Sequence, residues 1–404
     1  MPGQTQTLWN ARLVDGVADF GDELYALTIA GDEISQIERM NGHSPDGGVD
    51  LQGATVLPGL IDAHMHLMSG EVVRNVGFGP PEELKGGEPR SPELGYFELA
   101  AMAKAVLEAG ITTVRDVGSN GLEAIALRQA VDLGIVPGPD IYSCGRIVSA
   151  TSPGGELFGP MYREADGVAE LRKAVREQIR NGANFIKFMA TGARSVERED
   201  PEPPQLTREE FQVIIEESHR MGFRVCAHAE GLAGTRIAIE EGVDTIEHGL
   251  ALHRAPELLD EMARRGIVLV PTLTTFHDLA ERFTDEFAPR LVEQAKHQLE
   301  EAYATLDAAN KAGVTLAMGH DSGPPGDSAI EAVRMAQGGL GARKAIAAAT
   351  SGSATALGHS DRGRIEAGKR ADLLVIDGDP LADITVLNDQ QRVKMVFQAG
   401  APVN

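Results

Sequence analysis

Two histidines lie one residue apart in the stretch GLIDAHMHL, residues 59–67, where an apolar run reads as a buried strand. Alternate residues of a strand point to the same side, so His64 and His66 would direct both imidazoles toward one point. Two such rings can be ligands of a divalent metal, or they can be core histidines satisfied by ordinary hydrogen bonds. These residues alone do not decide between the two interpretations, and the rest of the chain must.

Four further polar residues occupy comparable positions, each near the C-terminal end of a strand-like apolar run. They are Lys187 in NFIKFMATG, His228 in VCAHAEG, His248 in TIEHGL and Asp321 in MGHDSG. Polar groups that converge at one buried point cost free energy unless they bind something. Imidazoles and a carboxylate together suit a borderline divalent metal such as zinc. The sequence therefore predicts a metal site ligated by His64, His66, Lys187, His228, His248 and Asp321.

Lys187 is the unexpected member of this set, because a metal ion repels an ammonium group. Its presence makes sense if the amine has reacted with carbon dioxide to form a carbamate, whose two oxygens can each bind one metal ion. The alternative is an ion-paired lysine in the core. The first interpretation predicts a two-metal centre bridged by carbamylated Lys187.

Strand-like runs alternate with helical ones through the middle of the chain, which is typical of βα units around a parallel sheet. The predicted strands are LIDAHMHL, TTVRDVGS, DIYSCGRIV, NFIKFMAT, RVCAHAEG, DTIEHGL, VLVPTLTTF and TLAMGHDSG. Eight such strands predict an α/β protein with a (β/α)8 TIM barrel, in which the chemistry lies at the C-terminal ends of the strands. Two insertions, residues 79–95 and 193–205, would then lie over that face.

Both ends of the chain read as short strands with turns, and neither end is long enough to form a sheet alone. We expect residues 1–57 and 359–404 to form one composite small β domain, a β-sandwich. The barrel domain would span residues 58–358.

Composition limits the classes of partner. The chain of 404 residues carries a net charge of −23, which argues against a nucleic-acid or anionic-membrane surface. No signal peptide and no apolar run of membrane-spanning length is evident. Cys144 and Cys226, in apolar stretches, are expected to be buried free thiols. We expect a cytoplasmic protein that acts on a small molecule.

The ordered set HxH, Lys, His, His, Asp resembles the metal-dependent amidohydrolase superfamily over nearly the whole chain. GLIDAHMHL resembles its first motif, FIKFMATG its carboxylated-lysine strand, and AHAEG, IEHG and GHDSG its later strands. TTVRDVG and IKFMATG further resemble the prolidase and imidazolonepropionase-like branch. That branch includes dipeptidases acting on Xaa-Pro, Xaa-Arg or Xaa-Lys, and ochratoxin-type amide hydrolases.

The resemblance implies that His64, His66 and Asp321 hold one metal ion and that His228 and His248 hold the other, with Lys187 bridging. A hydroxide shared by the two cations, for which zinc is the expected metal, would attack a carbonyl carbon. Asp321 would accept its proton and pass it to the leaving nitrogen, and Asp321, Lys187 and His248 are the expected catalytic residues. Relatives of this kind usually assemble, so we expect a homo-oligomer.

Two features depart from the pattern. His320 stands where threonine or serine is common, and it should face away from the metals because adjacent strand residues alternate. The region SATSPGGELFG lacks a histidine that many relatives carry after the third strand. Dipeptide specificity therefore does not transfer directly from those relatives.

Several weaker candidates accompany the main set. Arg115 and Asp116 are expected to support the metal layer, and His277 could reach the substrate. Arg194 and Arg198 could bind a carboxylate, although solvated loop charges are the simpler expectation.

The sequence predicts a binuclear amidohydrolase that cleaves an amide-type C–N bond in a dipeptide or N-acyl amino acid. The same site could instead hydrolyse a carbamate, urea, lactone or phosphoester. A non-catalytic scaffold of the same fold is the alternative from another class, although none of the expected ligands is missing. A mononuclear deaminase is disfavoured by Lys187.

Overall fold

The computed structural model describes residues 5–41, 45, 47–68, 91, 93–282, 284–285, 288–321 and 326–403. Most of the predicted insertion at 79–95 lies outside these residues. No helix within the described ranges is long and apolar enough to cross a membrane.

The strands of the described residues are numbered in chain order. They are β1 (Thr5–Leu13), β2 (Tyr25–Ala30), β3 (Glu33–Arg39), β4 (Val49–Asp50), β5 (Thr55–Pro58), β6 (Leu60–Met65), β7 (Ile111–Asp116), β8 (Asp140–Ser143), β9 (Ile147–Ser149), β10 (Tyr162–Glu164), β11 (Ile186–Met189), β12 (Val225–Ala229), β13 (Thr245–His248), β14 (Val268–Val270), β15 (Leu373–Ile376), β16 (Val393–Gln398) and β17 (Ala401–Pro402).

The α-helices of the described residues are numbered in the same way. They are α1 (Leu94–Glu108), α2 (Glu123–Asp132), α3 (Pro153–Phe158), α4 (Gly167–Arg180), α5 (Arg208–Arg220), α6 (Leu232–Glu241), α7 (Pro256–Arg265), α8 (Leu273–His277), α9 (Pro289–Ala312), α10 (Ala329–Met335), α11 (Ala342–Ala347) and α12 (Ser353–Leu357).

The two ends of the chain meet in one mixed sheet of eight strands. Its order is β17-β16-β15-β5-β1-β2-β3, and β4 pairs with β1. Strand β5 is the link, because it runs parallel to β1 and antiparallel to β15. Buried side chains such as Leu8, Leu27, Val56 and Phe397 form its core. The composite β unit is therefore observed as a mixed sheet, while the sandwich and the domain boundaries stay predictions.

The middle of the chain forms two parallel sheets, which confirms the α/β class. One sheet has the order β6-β7-β8 and the other β10-β9-β11-β12-β13-β14. Helices separate most successive strands and bury their apolar faces on the sheets; Phe188 of β11, for example, packs edge-on against Phe211 of α5. Parallel strands have their C-terminal ends at the same edge, where the predicted ligands should meet.

The predicted third strand is interrupted. It forms β8 and β9, separated by residues 144–146. Gly145 has a positive φ of 68°, and its backbone N–H is bonded to the Ser143 hydroxyl rather than to a neighbouring strand.

The predicted seventh strand is shorter than expected. It ends at Val270 and is followed by helix α8, where the prediction continued the strand to Phe276. Thr272 has a φ of 48°, and the Glu331 carboxylate accepts hydrogen bonds from the N–H groups of Leu273 and Thr274. A left-handed residue followed by capped N–H groups ends the strand and starts a helix.

The predicted eighth strand is the least regular. Its main ladder contact is an isolated bridge between Leu316 and Leu269. Met318 donates its N–H to the Ala348 carbonyl rather than to a strand. The segment nevertheless joins the two sheets: Ala317 N–H donates to Leu269 O at 2.9 Å, and Ala63 N–H donates to Met318 O at 2.8 Å.

Candidate metal centre

One cavity of about 350 Å³ lies at the C-terminal ends of the parallel strands. Its lining includes every residue predicted as a metal ligand, namely His64, His66, Lys187, His228, His248 and Asp321. The second insertion also borders it, through Ala193, Arg194, Ser195 and Glu197. Residues separated by more than 250 positions are therefore brought to one point.

His64, His66 and Asp321 form the tightest group of potential ligands. One ligand atom from each lies within 4.8 Å of the others. The Asp321 carboxylate is 3.5 Å from His64 Nε2 and 3.4 Å from His66 Nε2. Two imidazole nitrogens and a carboxylate oxygen at this separation are a suitable donor set for a divalent cation.

Hydrogen bonds on the opposite ring nitrogens fix the orientation of these two imidazoles. His64 Nδ1 is 2.6 Å from Glu247 Oε2, and His66 Nδ1 is 2.7 Å from the Gly118 carbonyl oxygen. Both acceptors require a protonated Nδ1, so Nε2 is the ring nitrogen that each histidine directs toward Asp321.

Glu247 is a functional residue that the sequence analysis missed. It is fully buried, and Arg115 Nη2 donates to both of its oxygens, at 2.8 and 2.9 Å. Burial alone would raise its pKa, but Arg115 and His64 hold the pKa of Glu247 far below its usual value. The available signal was a carboxylate inside an apolar strand, next to His248.

The expectation for Arg115 and Asp116 agrees with these contacts. Arg115 holds Glu247, and Asp116 accepts a hydrogen bond from Leu67 N–H at 2.9 Å, beside His66. The Ser143 hydroxyl donates to the other Asp116 oxygen at 2.6 Å. Neither side chain lines the cavity. Both support the residues that do.

His228 and His248 form a second pair on neighbouring strands. Their ring centroids are 4.6 Å apart, and the His248 ring is 5.1 Å from that of His64. Burial and the nearby Lys187 lower the pKa of His228 to about 3, and burial and His228 hold the pKa of His248 well below its usual value. Both rings are therefore neutral, the state in which imidazole binds a metal ion.

Thr272 orients His248 and was also missed. The Thr272 hydroxyl lies 2.7 Å from His248 Nδ1. The φ angles of His248, Thr272 and Asp321 are 68°, 48° and 63°. Left-handed backbone is unfavourable for residues other than glycine and is concentrated at functional sites. These three residues follow or end successive strands around the cavity, so the strain is located at the candidate centre.

Lys187 is buried on β11, with 2% of its surface exposed. Strand pairing places it beside Cys226, two residues before His228. Within the described part of the chain, no hydrogen bond or ion pair involves its ammonium group. The alternative of an ion-paired core lysine therefore finds no direct ion-pair partner among those residues; Glu247 interacts with the lysine charge only at longer range.

The two arginines of the second insertion differ. Arg194 is 7% exposed, borders the cavity and donates from Nε to Glu230 Oε2 at 2.6 Å. The expectation of a solvated loop charge is therefore wrong for Arg194, because Glu230 provides a buried counter-ion. It is confirmed for Arg198, which is exposed and pairs with Glu156.

The remaining histidine candidates lie outside the cavity lining. His277 Nε2 is 2.8 Å from the Tyr303 hydroxyl and Nδ1 is 3.0 Å from Glu281, so these contacts hold it away from the centre. His320 is buried and does not line the cavity, as its alternation with Asp321 predicts. Cys144 and Cys226 are buried free thiols, also as predicted.

Comparison with known proteins places the chain among hydrolases. The model of the amidohydrolase family matches residues 55–403. The ochratoxinase of Aspergillus niger is 32% identical over 374 residues, which cover 85% of this chain and 75% of that protein. An imidazolonepropionase of Symbiobacterium thermophilum is 24% identical over 356 residues, 81% of this chain and 76% of that protein.

Solved structures give the same result. A Xaa-Pro dipeptidase with methionine bound in its active site has a TM-score of 0.86 and 31% identity, covering 99% of this chain and 100% of that chain. The structure of Aspergillus niger ochratoxinase has a TM-score of 0.85 and 26% identity, covering 100% and 96% of the two chains. The resemblance seen in the sequence is confirmed, and the chain belongs to the amidohydrolase family.

Proposed function

We propose that this protein is a binuclear metal-dependent amidohydrolase that cleaves an amide-type C–N bond in a dipeptide or an N-acyl amino acid. The observation that carries the proposal is the convergence of six predicted ligands on one cavity. The similarity to an ochratoxinase and a Xaa-Pro dipeptidase supports the bond type. We further infer that the two parallel sheets and residues 315–321 form one closed (β/α)8 barrel around this cavity.

The residues present fit two divalent cations, for which zinc is our proposal. His64, His66 and Asp321 would hold one cation, and His228 and His248 the other. In both sets the second ring nitrogen of the imidazoles is engaged in a hydrogen bond or buried, as is usual for metal-ligating histidines. Bound cations would lower the pKa of water toward neutrality and polarise the scissile carbonyl group.

The state of Lys187 is the chemical test of this assignment. A buried ammonium that makes no direct ion pair costs on the order of several kcal/mol, and the four imidazoles nearby do not neutralise it. Addition of the neutral amine to carbon dioxide, with release of one proton, gives a carbamate anion in its place. The missing direct ion-pair partner among the described residues therefore supports carbamylated Lys187 as the bridge between the two cations.

Asp321 is positioned for proton transfer as well as for ligation. Its carboxylate faces both Nε2 atoms of the first two histidines and lines the cavity. A carboxylate there can accept the proton of the attacking water and deliver it to the leaving nitrogen. Burial alone would raise the pKa of the Asp321 carboxyl group, but His64 and His66 hold that pKa well below its usual value, so the group is ionised as a base requires.

The proposal is tested with the purified, zinc-supplemented protein and a panel of N-acyl amino acids, dipeptides, carbamates, ureas, lactones and phosphotriesters. We expect about two metal ions per chain and hydrolysis of amide substrates above all others. Faster turnover of lactones or phosphotriesters would assign the same site to another electrophile. Less than one tightly bound metal per chain, with no hydrolysis of any class, would favour the scaffold.

Lys187→Ala separates the carbamate from a structural lysine. We expect the variant to lose bound metal and most activity, and short carboxylic acids should partly restore both by replacing the missing anion. His320→Asn is the matched control, because His320 is about as buried as Lys187 but does not line the cavity. This variant should keep its bound metal and its activity. Full activity and metal content in Lys187→Ala would refute the bridge.

A small-molecule substrate, a cytoplasmic location and homo-oligomer assembly are further proposals that rest on the sequence alone.

A further inference from the structure

Arg194 is a buried cation whose hydrogen-bonding capacity is only partly used. The Glu230 Oε2 atom accepts hydrogen bonds from Arg194 Nε at 2.6 Å and from Arg194 N–H at 3.1 Å. The side chain is 6% exposed and borders the cavity of the candidate metal centre. Among the described residues, no group accepts a hydrogen bond from either Nη atom.

This pairing leaves one edge of the guanidinium group available. Glu230 neutralises the buried charge and fixes the plane of the side chain through Nε and the backbone. The two Nη groups form the geometry that binds a carboxylate through two parallel hydrogen bonds. A second acid on the cavity rim, Glu197, does not compete for them, since it is paired with Arg290.

An apolar surface lines the same cavity as this guanidinium group. Ala193, directly before Arg194, and Val196, two residues after it, pack in one buried cluster with Ile147, Met161 and Met189. Four of these five residues also line the cavity: Ile147, Met161, Met189 and Ala193. A guanidinium group able to bind an anion and an apolar wall therefore line one cavity together with the candidate ligands.

We propose that Arg194 binds the free carboxylate of the substrate, while the surface of Ile147, Met161 and Met189 receives the side chain of the same amino acid. The substrates are then N-acyl amino acids or dipeptides with an apolar C-terminal residue, and amides without a carboxylate are poor substrates. Hydrolysis releases that residue as a free amino acid, its nitrogen taking up one proton. This inference rests on the proposed function and names its substrate class.

Two probes isolate the carboxylate. N-benzoyl-L-leucine and N-benzoyl-3-methylbutylamine have the same scissile amide and the same alkyl chain, but only the first has a carboxylate. The wild-type protein should prefer the acid by at least about 10-fold in kcat/KM, the effect of one charge-assisted bidentate contact. Arg194→Met should lower this preference by about 10- to 100-fold, mainly through KM.

Arg198→Met is the matched control. Arg198 lies on the same loop, is exposed, and pairs with Glu156 rather than bordering the cavity. This variant should keep the wild-type preference for the acid.

A second variant tests whether misfolding, rather than the lost guanidinium group, explains a loss of preference. Arg194→Met leaves Glu230 buried without its cation, which could disturb the loop, whereas Arg194→Met/Glu230→Gln removes both charges. Both variants should lose the preference, and the double variant should keep the wild-type circular dichroism spectrum. Retention of the preference in either correctly folded variant would overturn the assignment of Arg194.

Ligand binding without turnover gives an independent readout. L-Leucine should raise the thermal midpoint of the wild-type and Arg198→Met proteins but not of Arg194→Met, and 3-methylbutylamine should have no effect on any of them. If the wild-type protein cleaves neither probe, the proposed amide hydrolysis fails, and leucine binding still decides on Arg194. Equal stabilisation of wild type and Arg194→Met by leucine, or equal cleavage of both probes by the wild type, refutes the inference.

Discussion

Glu247→Gln changes one buried charge beneath the candidate metal centre while keeping the shape of the side chain. Glu247 is fully buried, and Arg115, its cationic partner, is 3% exposed. Glutamine can still accept a hydrogen bond from His64, but it cannot neutralise Arg115. The variant therefore leaves a guanidinium group in the protein interior without a counter-charge.

The expected loss follows from this geometry. Removing one partner of a buried ion pair costs about 3 to 5 kcal/mol. Unfolding entropy near about 2.1 cal/mol/K per residue amounts to about 0.85 kcal/mol/K for a chain of this length. The thermal midpoint of Glu247→Gln should therefore fall by about 4 to 6 °C. Without the carboxylate behind His64, metal affinity should also fall by about 10- to 100-fold.

Scanning calorimetry of the metal-free protein measures the first effect without the second. Glu261→Gln is the control, because Glu261 pairs with Arg264 and Arg265 at the exposed end of α7, and its midpoint should not change. Glu247→Gln/Arg115→Met should recover part of the loss, since no unpaired charge remains. A shift below about 1 °C in Glu247→Gln, or no recovery in the double variant, would refute this reasoning.

Three further outcomes are expected. Thr272→Val keeps the shape of the side chain but removes the hydrogen-bond partner of His248 Nδ1. A competitive chelator titration should then show metal affinity about 10- to 100-fold lower. Unchanged affinity would contradict the role of Thr272 in orienting His248. Burial raises the pKa of Glu331 to about 7 from 4.5, so the folded protein holds the carboxyl proton of Glu331 more tightly than the unfolded chain does. The free energy of unfolding should therefore decrease as pH rises from 4.5 to 7, where the unfolded chain releases this proton first. Urea unfolding across this range should show a shallower decline in Glu331→Gln, by at most about 1.4 kcal/mol per pH unit, and identical slopes would exclude Glu331 as the source. Gly319→Ala places a Cβ atom 2.4 Å from Val270 Cγ1 and 2.6 Å from His64 Cβ. Calorimetry should show about 1 to 3 kcal/mol of destabilisation, together with loss of bound metal. A wild-type thermal midpoint would show instead that the strands can move apart to accept the methyl group.

The strand-end positions of the candidate ligands were predictable because they depend on local periodicity. Alternation places His64 and His66 on one side of β6, and the same rule separates His320 from Asp321. The α/β class followed from the alternation of apolar strand-like runs with amphipathic helices. These patterns depend only on residues close together in the sequence, so they could be predicted without knowing any distant contact.

The two last predicted strands show where local pattern fails. The apolar run after Val270 is compatible with a strand, but Glu331 caps the N–H groups of Leu273 and Thr274 and a helix forms instead. The caps come from a residue almost sixty positions away. Met318 likewise gives its N–H to a helix residue rather than to a strand. In both places a distant polar group replaced the ladder partner.

The sequence by itself determined which residue types occur at the strand ends and in which order, because side-chain alternation and apolar periodicity are local properties. Only the tertiary structure decided how those groups are used. Glu247 and Thr272 select the ring nitrogens that face the cavity, Lys187 has no direct ion-pair partner among the described residues, and Glu230 makes a loop arginine part of a buried wall. Each of these results depends on a partner from another strand or loop. Orientation and protonation are set by distances in space, which the spacing of residues along the chain does not contain.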